Sequence, residues 1–343
     1  MKIVLISCAK GKLSYKSKAK NLYISNLFRS NLKYAESLNP DKIFILSAKH
    51  GLVDLEEELE PYELSLSMIS TKERETWAKN VIRKLGEKSD LKKDEIIFLA
   101  GEKYRRYLLP YISNYKIPLK GLGFGKQLKV LKDILRCSQL HNLFGELKRY
   151  HFPFKEEEIP LNGIYVLFEN GEKAHGKERI VRIGSHTGKD QLRSRLKQHF
   201  VNENKDRSIF RKNIGRAILN KEKDPFLNQW ELDLTTKEAK DKFSNSINFE
   251  KQKEVEKRVS KYIQNNFNFA VMEIENKEKR LEMESKIIST VSLCKDCHAS
   301  DKWLGLFSTK EKIRESGLWL VNELYKEPLN DKEIEELASI NVK

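Results

Sequence analysis

The sequence predicts an α/β protein of two parts: an amino-terminal parallel α/β sandwich fused to a smaller mixed α/β domain. Two observations carry this. In the first half, short continuous apolar runs alternate with helical patterns, as in a parallel sheet covered by helices. From Gly163 onward the order changes to strand, strand and a basic helix. The boundary is expected near Tyr150 to Leu161, where two prolines flank a run of charge. This divides the chain into residues 1–150 and 151–343.

The amino-terminal strands are expected at Lys2–Ser7, Lys42–Ser47 and Glu95–Ala100, each holding a short continuous apolar run, as for strands buried on both faces. Helical spacing covers about Leu22–Leu38, Ser70–Lys84 and Lys126–Leu147. Functional groups in such sheets collect at the carboxyl ends of strands. Those ends read Ser7-Cys8-Ala-Lys10-Gly11-Lys12, Ser47-Ala-Lys49-His50-Gly51-Leu52 and Ala100-Gly101-Glu102. Glu60-Pro61-Tyr62 follows the second end, and Gly121-Leu-Gly123-Phe-Gly125 precedes a helix whose free amides could bind an anion.

In the second half, Gly163-Ile164-Tyr165 and Arg182-Ile183-Gly184 end two strands, and Leu192-Arg-Ser-Arg195-Leu196-Lys-Gln-His199 follows as a helix. Arg195 and His199 are four residues apart, so a helix sets them on one face where both can address one phosphate. Arg195 offers a planar fork of donors for phosphate oxygens. His199 can donate, carry a proton or orient water near neutrality. Tyr165, at a strand end, can position or deprotonate attacking water. Phosphodiester hydrolysis commonly enlists a divalent metal, and Mg²⁺ takes one or two carboxylates with water and phosphate. Glu284 is the carboxylate expected to hold it, because it falls in the apolar stripe Leu281, Glu284, Ile287, Ile288 and Val291. Glu282 is the exposed-face alternative. Each residue alone also has a plain reading, as a buried strand start, a solvated helix face or a surface charge.

On these motifs, residues 161 to about 325 resemble the GIY-YIG endonuclease superfamily. The resemblance implies one Mg²⁺ or Mn²⁺ at Glu284, Tyr165 near the nucleophile and Arg195 on the scissile phosphate. The second motif here has Arg182 where the family has tyrosine, so that role passes to Arg182 or His186, or is lost. Ser208 to Gly215, Trp303-Leu-Gly305 and Ile313 to Trp319 are similar to a bacterial subgroup carrying the arginine form.

Residues 1 to about 135 resemble the DUF6884 family through Ser7-Cys8, Leu46 to Leu52, Glu60-Pro-Tyr62 and Gly121-x-Gly123. A more distant likeness to proteins that act on modified nucleobases makes Ser7, Cys8, Lys10, His50, Glu60, Tyr62 and Gly123 the expected base pocket. His50 and Glu60 suit a glycosidic bond, and Tyr62 suits stacking on an extruded base. The alternative is a strand-to-loop turn at Lys49-His50-Gly51, with Cys8 simply packed.

Charge agrees with a polyanionic partner. Lys plus Arg number 65 against 50 Asp plus Glu, a net +15, which attracts nucleic acid in a salt-dependent way. Basic clusters at Lys10–Lys20, Lys103–Arg106 and Lys205–Lys212, with His186, Arg193, Arg211 and Lys212, are the expected contacts. Many lysines must also be plain solvated surface. The charged stretch Lys237–Lys261 is expected to be a surface insertion or DNA-facing helix.

The sequence holds no long apolar run of the kind that spans a membrane and no secretory signal. Four cysteines make no disulfide framework, so a cytoplasmic location is expected. Cys294-Lys-Asp-Cys297-His298 has zinc-ligand spacing, but its only companions, Cys137 and His141, fall in the other domain by this division. The segment is therefore read as a loop, and its formal match to a haem-attachment signature as coincidence.

The functional expectation is a metal-dependent DNA endonuclease, monomer or homodimer, directed to particular or modified bases by its first domain, in defence against foreign DNA. RNA is the alternative substrate. The rival readings are a glycosylase or base-exchange enzyme in the first domain, and a nuclease-like domain that only binds nucleic acid.

Overall fold

The computed structural model describes residues 1–340 and divides into two compact units, Met1–Leu135 and Arg136–Lys343. The division falls inside a long helix, ahead of the proline-flanked segment that the sequence marks as the boundary. Cys137 and His141 therefore belong to the second unit.

In the first unit the strands are β1 (Lys2–Ser7), β2 (Ser17–Lys18), β3 (Lys42–Ser47), β4 (Gly51–Asp54), β5 (Glu58–Leu59), β6 (Glu95–Leu99) and β7 (Tyr115–Lys116). The main sheet has the order β4-β3-β1-β6-β7. β1 is parallel to both neighbours, with Leu5 opposite Phe44 and Phe98. β4 departs from the all-parallel expectation and runs antiparallel to β3, because Lys49 and His50 return the chain directly. Ile3, Val4, Leu5, Ile45, Ile96 and Phe98 are buried, which explains why these strands read as unbroken apolar runs. The covering helices follow α1 (Ala19–Leu22): α2 (Asn26–Ser37) is capped by Ser25, and α3 (Thr71–Gly86) starts with the Ser70–Glu73 capping box. After α4 (Glu102–Arg105), the helix α5 (Phe124–Glu146) carries the chain into the second unit.

The second unit is built on β8 (Arg149–His151), β9 (Gly163–Ala174), β10 (Lys177–Gly184) and β11 (Phe267–Glu273), ordered β10-β9-β11-β8 and antiparallel throughout. Its helices are α6 (Leu192–Phe200), α7 (Ile209–Glu222), α8 (Leu227–Glu231), α9 (Lys237–Phe243), α10 (Phe249–Asn266), α11 (Lys277–Leu293), α12 (Glu311–Ser316) and α13 (Asp331–Ile340). Tyr165, Leu167, Val181 and Phe269 of the sheet share one core with Leu196, Phe210, Ile214, Val259 and Ile263 of the helices.

One expectation is corrected here. α10 overlaps the charged stretch expected at the surface, yet Val255, Val259 and Ile263 are fully buried; its apolar stripe closes the core, and only the opposite face is solvated. Glu256, on the same helix, is buried against Arg211. Two glycines of the similar pieces have local causes. A Cβ on Gly215 would lie 2.3 Å from the Trp230 ring, and one on Gly305 would meet the ring of Trp303.

Candidate active site

The ends of β9 and β10 meet because Gly184 pairs with Tyr165. Both motif glycines are required by close approach. A Cβ on Gly163 would lie 2.4 Å from the Met272 carbonyl oxygen, and one on Gly184 would lie 2.3 Å from the Tyr165 hydroxyl. Tyr165 is therefore seated across Gly184, 1% exposed.

Its hydroxyl lies 2.7 Å from Nε2 of His199, whose Nδ1 is 2.7 Å from Ser208 Oγ. His199 is fully buried. Burial, reinforced by the charges of Arg182, Arg195 and Arg211, holds its pKa well below the ordinary histidine value. The imidazole is thus neutral near pH 7. This corrects the expectation that His199 shares a solvent-facing phosphate site with Arg195: α6 turns His199 inward toward Tyr165 and leaves Arg195 half-exposed.

Arg195 lines a cavity of about 300 Å³ with Ser185, His186, Thr187, Gln191, Ser194 and Gln198. Ser185 also donates its hydroxyl to the Glu284 carboxylate. One side chain thereby joins the Arg195 cavity to the helix carboxylate. Glu284 is half-buried on α11, and among the described residues it has no ion-pair partner. Glu282 is instead exposed and bonded to Lys286 at 2.7 Å. A hard oxygen donor beside a polar cavity, without an ion-pair partner among the described residues, fits a divalent cation that keeps most of its waters.

His186 reaches the same cavity, and burial lowers its pKa. Its carbonyl accepts from the buried Arg280 guanidinium at 3.3 and 3.4 Å, while Arg280 also donates to the Ile274 carbonyl at 2.9 Å. Arg280 fixes the loop after β10 to the start of α11. Sequence reasoning missed it, although an arginine one turn before the candidate glutamate was a visible signal.

Arg182 is buried, donates to the Trp319 carbonyl and stands 5.2 Å over the Phe210 ring. It does not line the cavity, so among the alternatives for the absent second tyrosine only His186 lies there.

Several expected nucleic-acid contacts are structural. Arg211 is fully buried, bonded to Glu256 at 2.7 and 3.0 Å and to Ser260 at 2.8 Å. Lys212 is 7% exposed and lies 3.6 Å from Asp206, and Lys205 is 1% exposed with the same partner at 2.7 Å. Arg193 donates to the carbonyls of Ile159 and Glu157 at 2.7 and 3.2 Å. Sequence reads these as a basic cluster because charge does not reveal which side of a helix faces the core.

In the first unit, Cys8 and Lys10 line a cavity of about 440 Å³ with Lys12, Ser65, Ser67, Met68 and Tyr104 at the carboxyl end of β1. Cys8 Sγ is 3.1 Å from the Tyr104 hydroxyl. Ser7, which ends β1, is half-buried. Tyr62 is buried rather than free to stack on a base: its hydroxyl meets Ser47 Oγ at 2.7 Å and the Tyr23 hydroxyl at 2.9 Å, with His50 edge-on to its ring. Lys12 Nζ stands 4.3 Å over that ring. Glu60 and Gly123 are exposed and lie outside the cavity lining.

With this geometry in place, comparison with known families is decisive for the second unit. A model of the GIY-YIG domain matches residues 128–341, more than half of the chain. The chain belongs to the GIY-YIG domain family. A second model, a family of unknown function designated DUF6884, matches residues 3–133. No curated protein and no solved structure matches the chain. Membership makes the GIY-YIG unit a nuclease domain with nucleic acid as its substrate class. No helix among the described residues is long and apolar enough to cross a membrane.

Proposed function

We propose that this protein hydrolyses DNA phosphodiesters in the cavity of its GIY-YIG unit, with a divalent cation at Glu284, at positions selected by the DUF6884 unit. The observation that carries the reading is the Ser185 link between Glu284 and the cavity that Arg195 lines. When bound, a Mg²⁺ or Mn²⁺ ion supplies Lewis-acid polarisation of a phosphoryl oxygen. Arg195 holds the scissile phosphate through its planar donor fork. His186 and Gln198 complete the polar wall. Tyr165 positions the attacking water, its hydroxyl held in place by the 2.7 Å hydrogen bond to the neutral His199 imidazole.

The first unit supports base selection by a cavity of nucleoside size at the carboxyl ends of the parallel strands, with two lysines in its lining. Fusion of a base-reading unit to a cutter suits defence against foreign or modified DNA.

The test uses the full chain with Mg²⁺ or Mn²⁺ on plain, modified and abasic DNA, scoring strand breaks and released base separately. Glu284→Gln should abolish cutting and preserve binding, whereas Glu282→Gln should cut normally. Undiminished cutting by Glu284→Gln refutes the metal assignment. Base release ahead of any break would make the first unit a glycosylase, and intact DNA of every kind would refute both cutting and selection.

A further inference from the structure

We propose that the GIY-YIG unit contains a second metal site, a structural zinc held by the thiolates of Cys137, Cys294 and Cys297 and the imidazole of His175. The four residues come from three separate places: α5, the turn between β9 and β10, and the loop after α11. This overturns the reading of Cys294–Cys297 as a plain loop, since Cys137 and His141 lie in the same unit and converge on it.

The thiols are free, and Cys137, Cys294 and Cys297 are 0%, 6% and 4% exposed. The donor atoms of Cys137, His141, His175 and Cys297 all lie within 4.8 Å of one another. Cys294 Sγ joins the group 3.5 Å from His175 Nε2. Zinc bonds of about 2.0 to 2.3 Å in a tetrahedron separate neighbouring ligands by roughly 3.3 to 3.8 Å. The cluster is thus near the spacing a single ion imposes. Three thiols and two imidazoles gathered in an interior offer one another only weak hydrogen bonds, whereas a zinc ion would satisfy them strongly.

Five donors compete for four positions, and hydrogen bonding selects among them. Both ring nitrogens of His141 have backbone partners: Nδ1 lies 2.9 Å from the Cys137 carbonyl oxygen, and Nε2 accepts from Ile180 N–H at 3.1 Å. His141 is therefore a positioning residue that ties α5 to β10. His141 also lies 3.6 Å from Cys137 Sγ and 3.7 Å from Cys297 Sγ, but His175, on the two-residue turn His175-Gly176 between paired Ala174 and Lys177, has Nε2 3.5 Å from Cys294 Sγ. His298, next to Cys297, is exposed.

The cluster is separate from the residues of the nuclease cavity. His141 bonds Ile180 of β10, whereas Tyr165, Ser185 and Glu284 gather at the Gly184 end; at about 3.3 Å per residue, Ile180 and Gly184 are roughly 13 Å apart. A closed set of four protein ligands is the mark of a structural zinc. Binding releases the three thiol protons to solvent and forms three Zn–S bonds and one Zn–N bond, with no redox change.

The experiment is metal analysis of the untagged full chain by plasma mass spectrometry, with visible spectra after exchange to Co²⁺. One zinc per chain, thiolate-to-cobalt charge transfer with tetrahedral d–d bands, and a melting temperature lowered by a strong chelator are expected. Cys137→Ser, Cys297→Ser and His175→Ala should each lose most of the zinc, while His141→Asn and Glu284→Gln retain it. Metal-free protein with four titratable thiols and a chelator-insensitive melting temperature overturns the site. Zinc lost in His141→Asn but kept in His175→Ala overturns the ligand set. Because Glu284→Gln leaves this zinc in place, failure of the nuclease reading and failure of the zinc site are separable.

Discussion

The Tyr165 hydroxyl and Nε2 of His199 are 2.7 Å apart in side chains that are 1% and 0% exposed, with Ser208 Oγ held at 2.7 Å on the far ring nitrogen. A strand residue, a helix residue and a helix cap thus form one hydrogen-bonded chain behind the wall of the Arg195 cavity. Tyr165→Phe removes its first member and leaves a buried imidazole nitrogen without a partner, at a cost of about 1–3 kcal/mol. DNA cleavage by this variant should fall by roughly 10²- to 10⁴-fold, the range for losing a positioned acid–base group. Single-turnover cleavage beside a thermal melt checks both, and wild-type cleavage would remove Tyr165 from the chemistry.

Gly184→Ala should imitate that loss without touching the tyrosine. The added methyl falls 2.3 Å from the Tyr165 hydroxyl, so the ring must shift, at about 1–3 kcal/mol for overpacking. Cleavage should drop while DNA affinity stays near wild type, since Arg195 and the cavity wall are untouched. A variant with wild-type turnover would show that the tyrosine's seat across Gly184 is immaterial.

Arg195 and Arg211 should separate function from stability. Arg211→Met leaves Glu256 buried without its partner, and breaking such a pair costs about 3–5 kcal/mol; denaturant unfolding should register this. Arg195→Ala should unfold near the wild-type denaturant midpoint yet cleave poorly and bind DNA with a shallower salt dependence. The reverse pattern would return Arg211 to the nucleic-acid interface.

His199 makes stability depend on pH in a defined direction. Burial holds its folded pKa well below the ordinary histidine value, so below about pH 6.5 the unfolded chain binds a proton that the folded chain refuses. Stability is unaffected by this group above that pH and declines as pH falls through the interval down to the folded pKa. Melting temperatures from pH 7.5 to 5 should fall more steeply for the wild type than for His199→Gln. Parallel curves would contradict the neutral, buried imidazole.

Much of this molecule is legible locally. The apolar runs placed β1, β3 and β6, and the apolar spacing placed α3 and α11, because burial on both faces of a sheet or one stripe of a helix leaves a periodic trace. The motifs from Gly163 to His199, with the apolar stripe around Glu284, likewise brought Tyr165, Arg195 and Glu284 forward as candidates. Which basic residues face inward left no such trace: Arg211 and Lys212 look like surface charge until Glu256 and Asp206, distant in sequence or hidden by packing, are seen against them.

The sequence by itself therefore determined the two α/β units, the family motifs and the residue types available for phosphodiester chemistry. Tertiary structure alone decided that His199 pairs with Tyr165 instead of solvent, that Ser185 joins Glu284 to the Arg195 cavity, and that Cys137 and His175 meet Cys294 and Cys297. The physical reason is common to all three. Local spacing sets which face of an element a side chain occupies, but its protonation, pairing and ligand geometry depend on groups that only long-range packing brings within bonding distance.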